Sequence, residues 1–285
     1  MIDLLGLDLD GTLLSKTKKI NNPSKLALTN LIAKKPSLKV MILTGRSVFS
    51  TLKHVEKLNS LFKKPIVDYF CCYGGAKLYQ IEANKPQERY KFCLENSVVE
   101  TTFSIIKKHR GLCLAYLDSY VSPYLCLAGN KLLGWFTKYF WYRKRCVFFN
   151  QNHLKQGILK ISVYFLSAKR CKKVYEILKN TFQEKVNVLS FSNNLIEITH
   201  HDANKGYAIE YMAKREQLSL NRIAVIGDSW NDYAMFKKAK YSFAMSKSPS
   251  QLKLIATNTS NKTNRYRFST LLNLISETII NQKAD

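Results

Sequence analysis

Short, nearly continuous apolar runs occupy residues 4–7, 40–43 and 223–226, and each stops abruptly at a polar cluster. Runs of that length without polar alternation predict strands buried on both faces of a parallel sheet. The segments after the first two, 23–34 and 47–58, carry apolar residues at helical spacing, so 1–81 reads as alternating strand and helix. Residues 203–245 resume that rhythm, with Ala208, Ile209, Met212 and Ala213 lining one helical face ahead of the strand at 223. Between 82 and 189 the texture changes. Aromatics crowd together, the runs at 158–166 and 186–191 look β-rich, and the strand-then-motif rhythm stops. The pattern predicts an α/β core in two segments, 1–81 and 190–285, interrupted by a second domain inserted at 82–189.

Composition narrows the class further. A chain of 285 residues exceeds what one compact core usually takes, and 46% hydrophobic with 23% charged residues is ordinary for a globular protein. Eleven Gly and six Pro exclude collagen and disorder. The greasiest stretch, 112–129, is interrupted by Asp118 and Pro123, short of the roughly 20 apolar residues a bilayer span needs. No basic, apolar and small-residue succession opens the chain, which meets Asp3, Asp8 and Asp10 at once. A cytoplasmic protein with no membrane partner is expected. Seven cysteines without a CxxC pair predict reduced thiols that pack as small hydrophobes.

Forty-five basic against 20 acidic residues give a formal net charge of +25, and 82–189 alone holds 19 Lys and Arg against 7 Asp and Glu. Lys is nevertheless spread along the whole chain and Asn is abundant too, as in an AT-rich genome. The charge reads as a solvated basic surface, and nucleic acid is not expected as a partner.

The chemistry gathers at the strand ends. The first strand runs into Asp8-Leu9-Asp10-Gly11-Thr12, where two carboxylates two residues apart on extended chain project to one side. That suits a nucleophile and a proton carrier around one substrate, with a divalent cation to offset the crowded charge. The second strand ends in Thr44-Gly45-Arg46, a hydroxyl and backbone amides able to meet phosphate oxygens. The third ends in Gly227-Asp228-Ser229-Trp230-Asn231-Asp232, oxygen ligands for a hard cation, and Lys205 opens a helix as a point charge. Open parallel sheets bind ligands outside the carboxyl ends of their strands, and all three clusters fall at such ends.

These four motifs, in this order and at these separations, resemble the haloacid dehalogenase superfamily of phosphatases, and within it the Cof-like type with a type IIB cap. The resemblance implies a Rossmann-like core with an inserted α+β cap. It also implies a Mg2+-dependent phosphatase of small phosphorylated metabolites that works through an aspartyl phosphate. Carried over by motif, Asp8 is nucleophile and metal ligand, and Asp10 is general acid and base whose backbone carbonyl meets the metal. Leu9, Thr44, Gly45, Lys205 and Asn231 bind phosphate, Asp228 ligates the metal, and Asp232 supports the metal shell.

The chain departs from the family pattern in two places. Gly74-Gly75-Ala76 stands where members carry Asn-Gly-Ala, and 246–264 lacks the usual acidic-Gly signature. Both bear on substrate recognition and packing, and neither touches the carboxylates. Phosphotransfer of the phosphomutase kind and a non-catalytic, basic nucleic-acid-binding protein are the rival readings. For specificity the candidate is 139–145, four aromatics followed by Arg143, Lys144 and Arg145, able to stack on a ring and hold a second anionic group.

Overall fold

A computed structural model describes residues 2–15, 17–62, 65–119 and 124–284, so Pro123 lies outside the described residues. They form two compact units. The first comprises Met1–Arg46, Ser50–Arg89 and Asn204–Asp285; the second comprises Ser47–Phe49 and Tyr90–Ala203.

The first unit is built on an eight-stranded sheet. Six strands run parallel in the order Asn258–Thr259, Tyr241–Ala244, Ile223–Gly227, Leu4–Asp8, Lys39–Leu43 and Tyr69–Cys72. The three predicted apolar runs are therefore neighbours at its centre, with Leu7 beside Ile226 and Asp8 beside Leu43. Leu4–Asp8 and Ile223–Gly227 are buried at every position, which is why neither alternates. The register brings their carboxyl ends side by side.

The strand-and-helix alternation predicted for 1–81 ends at Cys72. A tight turn at Tyr73–Gly75 sends Lys77–Glu82 back antiparallel to Tyr69–Cys72, and Lys85–Lys91 forms the sheet's far edge. Two antiparallel strands need only such a turn, whereas a parallel return needs a crossover. Gly74, at φ 73°, takes the left-handed conformation that Asn also tolerates, so the departure from the family pattern preserves the backbone there.

Helix boundaries follow local chemistry. Asn22–Lys34 carries Pro23 in its first turn, its Asn21 cap accepts from Ser24 N at 2.9 Å, and Ala27, Leu28 and Leu31 are buried. Lys205–Arg215 is capped by Asn204, which accepts from Tyr207 N at 2.9 Å. Its buried face is Ala208, Ile209, Met212 and Ala213, as the spacing predicts. The C-terminal helix Arg267–Ala284 packs on Asn22–Lys34.

The second unit holds a six-stranded sheet in the order Val186–Ser192, Leu195–His200, Ile158–Tyr164, Leu112–Leu117, Leu125–Gly129 and Cys146–Phe148, antiparallel except for the last pair. Helices Asn96–Lys108 and Ala168–Phe182 pack on it through Val99, Ile106, Val174 and Leu178, against Ile161, Val163, Ile196 and Ile198. The unit begins and ends later than 82–189. Lys85–Lys91 belongs to the first sheet, and Leu195–His200 pairs between two strands of the second. Ser47–Phe49 joins it through Phe49, whose ring stacks on Tyr124 at 5.2 Å.

Six of the seven cysteines are buried thiols, and burial pushes Cys126 up to about 12. Among the described residues no helix is long and apolar enough to cross a membrane.

Candidate active site

Asp8 closes the central strand and is almost fully buried, as are Lys205 and Asp232. The Lys205 ammonium bridges them, donating to Asp8 Oδ1 and to Asp232 Oδ1 at 2.6 Å each, with Asn231 Oδ1 at 3.4 Å. A buried cation persists only where carboxylates compensate it. Burial pulls the Lys205 ammonium down, and Asp232 and Asp8 outweigh that pull and raise it above its ordinary value.

The loop after Ile223–Gly227 is tied by its own backbone. Asp232 Oδ2 accepts from the amides of Asp228 and Ser229 at 2.8 and 2.9 Å, closing a capping box over the turn Trp230–Asp232. Both Asp232 oxygens are thereby occupied, which makes this residue a brace for Lys205 and the loop. Ser229 Oγ donates to Asn231 Oδ1 at 2.7 Å, and Thr12 Oγ1 donates to Asp228 Oδ1 at 3.1 Å. Gly11 is required at its place: its φ is 87°, and a Cβ there would stand 2.2 Å from Asp228 Oδ2.

Carboxylate oxygens of Asp8, Asp228 and Asp232 lie within 4.8 Å of one another. Burial raises the Asp8 carboxyl well above the usual range, against the pull of Lys205 and with the push of Asp232 and Asp228. Burial, then Asp232, lifts Asp228 to about 6. Asp8 Oδ2 is buried and receives no hydrogen bond. Three acids, one ammonium and an unserved carboxylate oxygen form a hard-oxygen donor set short of positive charge, and these residues fit a divalent cation.

Thr44 is buried at the end of Lys39–Leu43, and its hydroxyl accepts from Arg46 N at 3.2 Å. Gly45 faces Asn231, whose Nδ2 would be 3.9 Å from a Cβ built there. Leu9 is buried, and its carbonyl accepts from Leu14 N at 2.8 Å. The structure thus gathers Asp8, Lys205, Asp228, Asn231 and Asp232 into one network, with Gly45 at its edge.

Asp10 belongs to a different set of partners. It lies past the strand end, half-exposed, and is held by Arg46 at 2.5 and 2.7 Å and by Lys18 at 2.6 Å. Burial pushes its carboxyl up, but Arg46 and Lys18 win and hold it at about 2. Arg46 also reaches Ser50 Oγ at 3.1 Å and His54 Nε2 at 2.5 Å, and burial followed by that guanidinium depresses His54. The sequence motifs contain Thr12 and Arg46 without marking their roles, and nothing in the sequence signals Lys18.

Arg143 and Arg145 lie in the second unit, both exposed, over the rings of Tyr139 at 5.9 Å and Phe49 at 5.7 Å.

A Mycoplasma pneumoniae protein named "Putative phosphatase" is 63% identical to this chain over 281 residues, covering 99% of this chain and 100% of the other. Phosphatase YwpJ of Bacillus subtilis is 25% identical over 283 residues, covering 89% of this chain and 92% of its own. Among solved structures, a phosphatase of the haloalkanoate (HAD) enzyme superfamily from Bacteroides thetaiotaomicron superposes with a TM-score of 0.77 at 17% identity, over 96% of this chain and 95% of its own. A sugar phosphatase of subclass IIB gives 0.75 at 18%, over 96% and 98%. At such identities the likeness speaks for the fold. Residues 5–266 match the model of the haloacid dehalogenase-like hydrolases, from the first buried strand to the threshold of the last helix, and the chain belongs to that family.

Proposed function

We propose that the chain is a Mg2+-dependent phosphatase of small phosphorylated metabolites and that Asp8 is its nucleophile. The observation that carries this reading is the buried Lys205 ammonium held between Asp8 and Asp232, with Asp228 beside them, at the carboxyl ends of two central parallel strands. Phosphoryl transfer needs positioning and charge compensation above all, and this cluster offers both.

Asp8, Asp228 and the main-chain carbonyl of Asp10 would hold the cation, with Asp232 bracing them. Once bound, it supplies the positive charge that three crowded carboxylates lack and polarises the phosphoryl oxygens. Lys205, Thr44, Asn231 and the amides of Leu9 and Gly45 receive those oxygens. An Asp8 oxygen attacks phosphorus, its new P–O bond forming as the bond to the leaving oxygen breaks, and Asp10 gives that oxygen a proton. Asp10 then takes a proton from water as the water oxygen attacks phosphorus, and the bond to Asp8 breaks with release of inorganic phosphate. To carry the first proton, Asp10 has to leave Arg46 and Lys18, which hold it ionised.

Selectivity for the leaving group we assign to the second unit as a cap, with Arg143 and Arg145 as its candidate residues. The test is phosphate release from a panel of sugar, nucleotide, flavin and pyridoxal phosphates, with Asp8→Asn as the blank. Release at least about 10⁴-fold above the blank is expected for the best substrate. Equal release by a folded Asp8→Asn protein overturns the reading.

A further inference from the structure

In the second unit the helix Lys131–Thr137 continues into a π-helical turn, Lys138–Tyr142, and its polarity is inverted. Leu132, Trp135, Phe136, Tyr139 and Phe140 recur at the spacing of a single helical stripe. That stripe faces water: the five side chains are 67%, 52%, 45%, 54% and 63% exposed. The inward side is Gly134 and Thr137, both buried, and Gly134 lets the helix lie close on Phe148 and Leu112. Trp141 extends the apolar surface beyond the stripe. A contiguous exposed patch of this kind marks an interaction surface.

Charge selects the occupant. Residues 119–175 contain eleven Lys and Arg and not one Asp or Glu; Lys160 among them is buried and paired with Glu197, while Lys131, Lys138 and Lys144 belong to the aromatic segment itself. We propose that this stripe docks on the surface of an anionic lipid bilayer, its aromatic and aliphatic side chains entering the boundary between head groups and acyl chains while the lysines meet lipid phosphates.

A second copy of the chain fits less well, because a two-fold contact sets the cations of the segment against one another, and the segment itself carries no carboxylate to offset them. Single-stranded nucleic acid needs open ring faces. Here Trp135 stacks on Tyr139 at 5.5 Å and 6°, and Phe136 on Phe140 at 5.9 Å and 15°, so the rings spend faces on each other. Surface docking needs no spanning helix, so the lack of one among the described residues does not bear on it.

The experiment is flotation of the full chain with vesicles of phosphatidylcholine alone or mixed with phosphatidylglycerol. Flotation with the mixed vesicles is expected, weakened by salt, together with quenching of Trp emission by brominated acyl chains. The triple variant Leu132→Ser, Trp135→Ser, Phe136→Ser should lose binding by about tenfold or more. It should also melt like the parent, because these side chains are exposed. Failure of the parent to float with the mixed vesicles overturns the proposal, as does equal flotation of the variant. So does a dimer, or a complex with single-stranded DNA, that the variant abolishes while vesicles leave the parent in solution.

Discussion

Arg46 grips Asp10 through two parallel N–H···O bonds, Nε to Oδ2 at 2.5 Å and Nη2 to Oδ1 at 2.7 Å. Bidentate pairs of this kind are the strong form of the charge-assisted hydrogen bond. The pair joins the loops after two adjacent parallel strands and keeps Asp10 a carboxylate down to about pH 2.

Arg46→Gln is therefore expected to lower the melting temperature at pH 7 by about 1–3 °C, the size of a partly exposed pair. A depressed carboxyl stabilises the fold above its unfolded value, near 3.8, and that contribution disappears as pH falls through the folded value of about 2. The gap between parent and variant should narrow somewhat as pH falls below about 6.5, where His54, which Arg46 depresses, would take a proton in the unfolded chain, and should close between pH 4 and pH 2. Melting curves across that range check it. A gap that widens toward acid would show that Arg46 acts on stability through some group other than Asp10.

Lys205 has the opposite character, since all of its compensation is buried. Lys205→Met leaves Asp8, Asp228 and Asp232 repelling one another with no cation, and the expected loss is about 3–5 kcal/mol in denaturant unfolding. Asp8→Asn should melt no lower than the parent in metal-free buffer, because burial already disfavours the ionised Asp8. A Lys205→Met protein as stable as the parent would contradict the electrostatic account.

How much of this was legible in the sequence depends on what each residue needs. The central strands are legible because burial on both faces forces unbroken apolar runs, and Asp8 and Asp228 follow because they stand where those runs end. Lys205 is legible through its place at a helix start behind Asn204. The Arg46–Asp10 pair is not, since it depends on which strand ends become neighbours and on two side-chain rotamers. Lys18 lies in a loop with no periodicity to locate it. The stripe at 132–140 shows a second limit: helical spacing reveals that one face is apolar, but not whether that face turns inward or to water.

Metal dependence is the next expectation. The donor set has too little positive charge, so Mg2+ should raise the melting temperature and EDTA should abolish phosphate release, with recovery on adding Mg2+. At a concentration of about 100 times the dissociation constant the stabilisation is about 2.7 kcal/mol. Ca2+, larger and looser in geometry, should support turnover poorly. Asp228→Ala should need more Mg2+ for half-maximal turnover. Full activity in metal-free buffer contradicts the assignment.

In the proposed reaction the core cluster meets the phosphoryl group, and discrimination among leaving groups is assigned to side chains elsewhere. Arg143 and Arg145 are exposed, and their guanidinium groups lie over the rings of Tyr139 and Phe49, contacts that favour that placement without burying the charge. Two such cations suit a substrate that carries a second anionic group, such as a nucleotide or a cofactor phosphate. Charge reversal, Arg143→Glu with Arg145→Glu, is the check, run in solution without vesicles so that surface docking plays no part. Lost contacts to such a substrate are expected to lower its kcat/KM by about 10-fold to 100-fold, the scale of one or two charge-assisted hydrogen bonds, while a minimal aryl phosphate without that group changes little. The difference between the two substrates carries the assignment, because damage to the fold or to the chemistry would lower both alike. Equal losses, or none, would remove Arg143 and Arg145 from substrate recognition.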